Sequence, residues 1–513
     1  YHSTTMKPVD QNITALAIHN NYNLVDFAAI EAKITDADNN PLLGQVIIKS
    51  AGPNRYVATT GTDVSNDCTL PGNPCATLAH AVEVSVDMDT IDVAAGTYAQ
   101  TTVLTIDVND LTVRAGDANN KPVITTNQTT VFDINATDVK LNGLRLELGL
   151  TATTGKYGVV STTSNFNGLN LANNEIVSTS PVIPYGMVWD AFAVRLNSLT
   201  GAMDNVTIVD NVIGTATASD NNIFGRGIAL GSGSADGPAA TISNNEIKAY
   251  YTVQAIRSTA DVTIADNDIQ GITMINAPLT GVILVENNTI DAVTPMAADN
   301  LYALVEIRSV ENGTVEINEN NFTNYTNIAL LSSASKNVTV SGNTFTPAST
   351  ANAFVSVMAN TKMMTNGVQG DTYGNEIVLV GNEFEAGAAN EGTAIVFADH
   401  YGATTPAFAA VTIGGTAAAD KNSFNANLGN YIVLDGQEGA SSSVPLWAPY
   451  AVTTMKPFAQ SIEALYDNNT YNQASISDVE LKNIDSLDND ALGKVILTYS
   501  TIGLDEVAIS AAT

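Results

Sequence analysis

Residues 262–290 read VTIADNDIQGITMINAPLTGVILVENNTI. Twice in this stretch an alternating apolar segment is followed by Asn, one further residue and Ile. The first instance is Asn267-Asp-Ile269, and Asn288-Thr-Ile290 follows 21 residues later. Alternation of apolar and polar residues is typical of a strand with one buried face. Three short strands and three turns need about this length, so each repeat predicts one coil of a parallel β-solenoid.

The same pattern recurs between about residue 100 and residue 440. The further positions, each followed two residues later by Ile or Phe, are Asn174, Asn211, Asn245, Asn320, Asn343, Asn382 and Asn422. Longer intervals indicate loops inserted into a coil. We expect each Asn to take a left-handed or bridging conformation at a bend and to hydrogen-bond to the Asn stacked on it. The Ile or Phe should point into a dry core.

The chain of 513 residues carries 52 Asp and Glu against 20 Lys and Arg, a formal net charge of −32. Nucleic acids and anionic membrane surfaces attract clustered Lys and Arg, so the charge argues against both as partners. No stretch approaches eighteen apolar residues, and we expect no membrane span. The sequence starts at Tyr1, and we interpret it as a mature product or an excerpt of a longer polypeptide. The composition fits an extracellular or cell-surface location.

The two cysteines, Cys68 and Cys75, flank the sequence TLPGNP. A Pro/Gly turn between close cysteines favours a local disulfide, which would imply an oxidising compartment. Two free buried thiols are the alternative.

The run CATLAHAVEV at residues 75–84 predicts a short helix that would close the N-terminal end of the core. Together with YVATTGTDV at residues 56–64 and DTIDVAAGTY at residues 89–98, this run resembles the start of a right-handed parallel β-helix of the pectate-lyase-like superfamily. The resemblance covers about residues 54–440 and implies an all-β fold. That superfamily includes polysaccharide lyases and hydrolases, adhesins, surface proteins and phage tailspikes, so the resemblance implies a fold more specifically than a function.

Enzymes of this superfamily typically use an Asp cluster that holds Ca²⁺ beside an Arg or Lys base, or Asp pairs set for glycoside hydrolysis. The Arg-x-Pro-x-x-Arg motif of pectate lyases is absent from the sequence, as are the Asn-Thr-Asp, Asp-Asp and Gly-His-Gly motifs of polygalacturonases. These absences favour a non-catalytic protein over a polysaccharide lyase or a glycoside hydrolase.

A set of ionisable residues in the middle strands of the coils is a candidate site. If these strands align, Arg195, Arg257 and Arg308 form an outward stripe. Glycan binding is one interpretation, with candidates Arg195, Arg257, Arg308 and Tyr401. Catalysis by β-elimination is a second, with candidates Arg257, Arg308, Glu306, Asp399 and His400. In the third, the arginines only neutralise neighbouring ladders of Asp and Glu, which repel each other at a spacing of about 4.8 Å.

Residues 1–48 and 450–497 are two copies of one segment at a constant offset of 449 residues. We term them the first copy and the second copy. In each, a Pro disfavours helix at the start, and a β-branched segment at the end favours strand pairing. The predicted domains are a terminal module at residues 1–53, a β-helix with its N-terminal cap at residues 54–445, and a second terminal module at residues 446–513.

Equivalent modules at both ends suit head-to-tail assembly of the chain with itself, or tandem copies within a longer chain. The candidate contact residues are Leu42, Leu43, Val46, Ile47 and Ile48 in the first copy and Leu492, Val495, Ile496 and Leu497 in the second. Two alternatives remain open: simple caps on the solenoid, or docking modules of an enzyme.

Two acidic turns could hold calcium through side-chain oxygens, one at Asp36 and Asp38 and the other at Asp485 and Asp488. Turn chemistry alone also explains these residues, and the sequence predicts no other cofactor.

The sequence thus predicts a secreted structural protein of a cell surface, sheath or extracellular filament that assembles end to end through its duplicated modules. The alternative is a β-helix protein that binds or degrades acidic polysaccharide.

Overall fold

The computed structural model describes the greater part of the chain. The described ranges are residues 13–16, 46–49, 54–126, 128–149, 156–160, 165–178, 191–197, 205–214, 224–292, 303–308, 310–326, 328–333, 335–348, 353–359, 364–365, 368–369, 375–387, 392–399, 408–435, 461–485 and 494–499. No helix within these ranges is long and apolar enough to cross a membrane.

The described strands stack in parallel around one axis and form a β-helix with three faces. A typical coil starts with Val262–Ala265 on the first face, and the long strand Asp268–Asn276 then covers the second and third faces. The next coil begins at Val282–Glu286, which pairs in parallel with Val262–Ala265. The parallel β-helix predicted from the 21-residue repeat is therefore confirmed.

The first face is a sheet of thirteen parallel strands. In order, they are Asn54–Val57, Thr90–Val93, Thr112–Ala115, Lys140–Asn142, Asn170–Ala172, Asn205–Val209, Ala239–Ser243, Val262–Ala265, Val282–Glu286, Thr314–Asn318, Val338–Ser341, Asn375–Val380 and Phe408–Ile413.

The second and third faces merge into one sheet of 24 strands through Glu246–Ile256 and Asp268–Asn276, which belong to both. The other strands of the second face are Thr97–Gln100, Val123–Thr126, Arg145–Leu148, Glu175–Ser178, Val212–Ile213, Thr289–Asp291, Asn321–Thr323, Thr344–Thr346, Glu383–Phe384, Asn422–Phe424 and Asn469–Tyr471. The other strands of the third face are Leu104–Ile106, Thr130–Ile134, Lys156–Val160, Ala191–Leu196, Phe224–Leu230, Ala303–Arg308, Ile328–Ser333, Ala353–Ala359, Thr393–Asp399, Asn430–Asp435 and Asn483–Asp485.

A ladder of buried asparagines lines the bend between the first and second faces. At Asn288, the side-chain Nδ2 donates to Ile264 O at 2.8 Å and to Glu286 O at 2.9 Å. Its Oδ1 accepts from both the backbone N–H and the side chain of Asn267 at 2.9 Å. The same bonds recur along the axis, so each Asn satisfies polar groups of the coil before it. The members of this asparagine ladder are Asn174, Asn211, Asn245, Asn267, Asn288, Asn320, Asn343, Asn382, Asn422 and Asn469.

The predicted stacking of these asparagines is confirmed, but none of them takes the left-handed conformation that was one of the two expected. At eight of the ten ladder positions the left-handed residue is the one before the asparagine, as at Asp266 with φ 57° and Asn287 with φ 54°. A glycine occupies the same place at Gly342 and Gly381, both with φ 66°. The turn therefore uses two residues, because one bends the backbone and the next supplies the hydrogen bonds.

The residue two positions after each ladder Asn points into the core, as the repeat predicts. Ile269, Ile290 and Phe322 are fully buried. Further along the axis, aromatic rings stack coil on coil, with the Phe322 and Phe345 centroids 4.7 Å apart and the planes at 12°. The stack continues through Phe384 and Phe424 with centroid distances of 5.3 and 5.0 Å.

A short α-helix, Leu78–Glu83, precedes most of the coils. The Thr77 side chain accepts a hydrogen bond from His80 N–H at its N-terminus, and Leu78, Ala81 and Val82 are buried against the core. That this helix closes the N-terminal end stays a prediction. A second helix spans Ile476–Glu480, and 3₁₀ turns lie at Ala418–Asp420 and Tyr466–Asn468.

Cys68 and Cys75 form a disulfide, which confirms the predicted pairing. Both sulfur-bearing residues are fully buried beside the helix Leu78–Glu83. His80 lies close enough to make these three residues a potential metal-ligand group. The two sulfur atoms bond to each other, however, so they offer no thiolate to a metal.

Three small two-stranded sheets are separate from the two main sheets. Met364–Thr365 pairs antiparallel with Val368–Gln369 between the ladder positions Asn343 and Asn382. The other two belong to the two copies of the duplicated segment. Ile13–Leu16 pairs in parallel with Val46–Lys49, and Ile462–Leu465 pairs in parallel with Val495–Thr498.

Replacing Asn288 with Ala tests the asparagine ladder. The substitution leaves the N–H groups of Asn267 and the carbonyls of Ile264 and Glu286 buried without these partners. We expect the free energy of unfolding to fall by about 3 kcal/mol, measured by guanidinium denaturation. Asn321→Ala is the matched control, because Asn321 is exposed on the second face, and it should change stability by less than about 0.5 kcal/mol. Equal effects of the two substitutions would contradict the ladder's role.

Candidate functional site

The described part of the second copy of the duplicated segment forms the last coil that the structure describes. Asn469–Tyr471 pairs in parallel with Asn422–Phe424 on the second face, and Asn483–Asp485 pairs with Asn430–Asp435 on the third. Val495–Thr498 then returns to pair with Ile462–Leu465. We term residues 461–498 the end coil. The domain boundaries stay predictions, and the structure adds that the strands of this segment continue the main sheet.

Two side chains of the end coil continue the interior pattern of the β-helix. Asn422 Nδ2 donates to Asn469 Oδ1 at 3.0 Å, and Asn469 Nδ2 donates to Ile413 O at 3.1 Å. Tyr471 stacks on Phe424 with centroids 5.0 Å apart and an interplanar angle of 9°. Burial raises the pKa of the Tyr471 hydroxyl, so the ring stays neutral.

Lys482, near the third-face strand of the end coil, contacts the preceding coil. Lys482 Nζ donates to Leu428 O and, at 3.0 Å, to Ala426 O. The same ammonium group lies 5.4 Å from the centroid of the Tyr431 ring. Partial burial lowers the pKa of Lys482. Because carbonyl oxygens and an aromatic face both attract a cation, these contacts hold the end coil on the preceding coil.

The two copies make the same strand pairing in the same register. Ile13 pairs with Val46 in the first copy, and their counterparts Ile462 and Val495 pair in the second. An identical register at an offset of 449 residues shows that the duplication extends from sequence to local structure.

The predicted assembly residues fall into three groups. Val495 and Leu497 are half-buried and pack against the core of their own chain, whereas Ile496 is 44% exposed. For the first copy the structure describes only the backbone pairing of three of them. These are Val46, Ile47 and Ile48. Leu42, Leu43 and Leu492 lie outside the described residues. Their role in assembly stays a prediction.

Arg195 lies on the outer side of the third face, since its neighbours Val194 and Leu196 are fully buried inside. Its guanidinium lies 5.1 Å from the ring centroid of Phe192 and 5.7 Å from that of Tyr157. Nη1 also donates to the Tyr157 hydroxyl at 3.2 Å. Arg195 therefore packs on aromatic rings of its own chain.

Arg257 lies at a turn, one residue after the strand Glu246–Ile256, with a left-handed φ of 52°. Its guanidinium forms an ion pair with Asp236, with Nη2 and Oδ1 3.0 Å apart. The Arg257 side chain is 35% exposed, so the pair is partly open to solvent.

Glu306 and Arg308 form an ion pair on the outer side of the third face. Their side chains are 0% and 2% exposed. In the adjacent coils, Met274 and Leu331 flank Glu306. Two charges removed from water in this way carry a large desolvation cost, so each depends on the other. The buried pair gives a polysaccharide little access to either group.

The register does not place the three arginines in one stripe. Arg195 falls in the column that runs through Gln254 and Met274 to Glu306. Arg308 lies two residues further along its strand, and Arg257 lies beyond the strand end. The alternation of residues within a strand predicts which side chains point outward. Which column an outward residue joins depends on the residue at which each coil begins its third face. Inserted loops change that residue, so the sequence does not predict the column.

The remaining predicted residues are mostly outside the described ranges. The backbone of Asp399 pairs with Ala359 at the end of its strand. The side chain of Asp399, together with His400 and Tyr401, lies outside the described part of the chain. Of the calcium candidates, the backbone of Asp485 pairs with Leu434. Asp36, Asp38 and Asp488 are not described, and calcium binding stays a prediction.

The outer side of the first face carries an open groove of about 960 Å³ near the N-terminal end. Register places Tyr56, Asp92, Arg114 and Asn142 in one column along it. Arg114 Nε donates to Asp92 Oδ1 at 2.6 Å, and this hydrogen bond raises the pKa of Arg114. The Arg114 side chain remains 48% exposed. The groove thus presents an aromatic ring, a cation and a carboxylate to solvent.

Neither the groove nor the contacts of the end coil are among the sequence predictions. Asn469-Thr-Tyr471 fits the repeat with Tyr in place of Ile or Phe, and this is the signal for the end coil in the sequence. The groove left no comparable signal, because its residues come from separate coils.

No protein-family model matches the sequence, and no curated protein matches it either. Among solved structures, a rhamnogalacturonan lyase is 14% identical, with 79% of this chain and 87% of that chain covered and a TM-score of 0.34. An alginate lyase in complex with G6 is 12% identical, with coverage of 87% and 96% and a TM-score of 0.39. The Dettilon tailspike protein is 14% identical, with coverage of 75% and 68% and a TM-score of 0.35. Similarity at this level says nothing about activity.

Substitution of Arg308 separates a structural role from a catalytic one. Arg308→Ala removes the cation that pairs with the buried Glu306 carboxylate, so we expect the free energy of unfolding to fall by about 3–5 kcal/mol. The double variant Glu306→Leu with Arg308→Met removes both charges. Its free energy of unfolding, measured by guanidinium denaturation, should be much closer to that of the parent. A parent-like unfolding curve for Arg308→Ala, together with loss of an activity on polysaccharide, would contradict the structural role.

Proposed function

We propose that this chain is a structural protein that assembles end to end through the two copies of its duplicated segment. The observation that carries the proposal is the shared strand pairing, in which Ile13 and Val46 repeat as Ile462 and Val495. The second copy lies at one end of a long β-helix. A chain with equivalent elements at both ends can repeat one heterologous contact, and such contacts give open filaments when they do not close into a ring.

The disulfide and the acidic composition support an extracellular location, in agreement with this proposal. The buried Cys68–Cys75 disulfide needs an oxidising compartment to form and persist. The acidic composition keeps the surface well solvated, and like charges on neighbouring units repel each other over about 8 Å at physiological ionic strength. We therefore propose a secreted protein of a cell surface, sheath or filament.

The arginines favour the structural function over a catalytic one. Arg195 packs on aromatic rings, Arg257 pairs with Asp236, and Arg308 is buried with Glu306. In each case a neighbour within the same chain accounts for the guanidinium. These contacts support the interpretation that the outer arginines stabilise the β-helix.

Negative-stain electron microscopy of the purified full chain tests assembly. Thirteen coils at about 4.8 Å each give a β-helix of about 60 Å, which sets the minimum axial repeat. We expect filaments at physiological ionic strength. We expect fewer at about 10 mM salt, because the Debye length there is about 30 Å and the acidic chains repel each other over a longer distance. Monomers at every concentration and ionic strength, seen also by light scattering, would contradict the proposal.

A second candidate function is polysaccharide binding in the groove of the first face. The side chains that line it suit a sugar, since Tyr56 offers a ring for stacking and Arg114 and Asp92 offer hydrogen bonds. Arg114→Ala should weaken binding of alginate or pectin about tenfold or more in calorimetry, because it removes the only cation of this column. Val86→Ala, at an exposed residue outside the groove lining, is the matched control. No binding by the parent chain would exclude this function.

A further inference from the structure

The C-terminal end of the β-helix proper is a docking surface that the end coil already occupies. The surface is formed by Asn422–Phe424 and Asn430–Asp435, with the turn between them. Asn469, Tyr471 and Lys482 of the end coil contact it through a ladder hydrogen bond, an aromatic stack and a cation–π contact. The contacts of the end coil therefore show which groups this surface binds: an asparagine amide, an aromatic ring and an ammonium group.

The first copy keeps these three docking residues. At the offset of 449, Asn469 corresponds to Asn20, Tyr471 to Tyr22 and Lys482 to Lys33. These residues of the first copy lie outside the described ranges, so the correspondence rests on sequence. The apolar pair Ile462 and Ala464, both 2% exposed, is also kept, as Ile13 and Ala15.

The positions that change include exposed ones. Thr470 and Leu481 are exposed in the end coil and become Asn21 and Ala32 in the first copy. Two docking contacts are lost, because Gln473, which donates to the Tyr431 hydroxyl at 2.9 Å and to Ala426 O at 3.1 Å, becomes Leu24. Leucine can still pack beside the aromatic rings, so the first copy retains the means to dock.

We propose that the first copy of one chain docks on the C-terminal end of the β-helix of a second copy of this chain, in the place of that chain's own end coil. The proposal rests on the end-to-end assembly proposed above and specifies the surface and its occupant. Asn20 then continues the asparagine ladder after Asn422, and Tyr22 stacks on Phe424.

The exchange replaces contacts with nearly identical ones, as in domain swapping. Its equilibrium is therefore set mainly by concentration. The tethered end coil competes at an effective concentration on the order of millimolar. Docking between chains is favoured when the chains are concentrated or when the resident end coil is weakened.

Cysteine crosslinking between two full-length chains tests this docking. Ser423 is the register partner of Thr470, whose counterpart is Asn21. The acceptor chain carries Ser423→Cys together with Asn469→Ala and Tyr471→Ala, which weaken its own end coil. The donor chain carries Asn21→Cys. In a glutathione redox buffer we expect an interchain disulfide between positions 21 and 423, detected by non-reducing electrophoresis and peptide mass spectrometry.

A second acceptor chain, with an unweakened end coil, keeps the test valid if the weakened acceptor misfolds. Ser423→Cys alone keeps every docking residue of the end coil, so this acceptor should form the same crosslink at least tenfold more slowly. Its rate should rise with donor concentration.

Two matched controls address specificity. A donor that also carries Asn20→Ala and Tyr22→Ala should lose the crosslink, because the ladder bond and the stack are gone. An acceptor with its cysteine at Val86, exposed near the opposite end of the β-helix, should give none. Absence of the 21–423 disulfide with both acceptors would overturn the proposal, as would a crosslink unaffected by the Asn20 and Tyr22 substitutions.

The crosslink and the electron microscopy separate the two proposals. Filaments without a 21–423 disulfide would leave end-to-end assembly standing and overturn this docking mode. A specific crosslink without filaments would support the docking mode and contradict the filament.

Discussion

The asparagine ladder is the interaction on which the rest of this β-helix depends. At each bend between the first and second faces, the asparagine side chain donates to a buried backbone carbonyl of the preceding coil, such as Ile264 O. A buried carbonyl without a partner costs one to three kcal/mol, and the bend recurs in every coil. The Asn side chain has two donors and an acceptor oxygen, so it can satisfy the carbonyls of one coil and accept from the Asn below it. The ladder thereby fixes the register of successive coils.

That requirement explains why the sequence repeats at the bends and varies elsewhere. A left-handed residue such as Asp266 or Asn287 precedes most ladder positions, and an apolar or aromatic residue follows each one into the core. The connection from the third face back to the first varies in length from coil to coil, as loops commonly do. Between Asn343 and Asn382 an antiparallel pair of short strands occurs within such an insertion. The regular part holds the fold, so the inserted part is free to vary.

The end coil continues the same interaction at the C-terminal end of the described β-helix. Asn469 and Tyr471 belong to the ladder and to the aromatic stack, and neither forms a separate recognition surface. A β-helix presents at each end the same unsatisfied edge and core that each coil presents to the next. In this chain Asn469 and Tyr471 of the end coil cover that end. The duplication repeats the same spacing in the first copy, at Asn20 and Tyr22.

The sequence by itself determined the coil, because hydrogen bonding at the bend demands Asn267 and Asn288 at a spacing that stands out in the chain. It also determined the Cys68–Cys75 pairing and the duplication, since these are local or repeated patterns. Only the tertiary structure decided which side chains meet across coils. Arg195 and Arg308 lie in different columns, whereas Tyr56 and Arg114 line one groove. Both results depend on the register of the coils, which the length of each inserted loop sets. That register depends on contacts between residues distant in sequence, which no local pattern encodes.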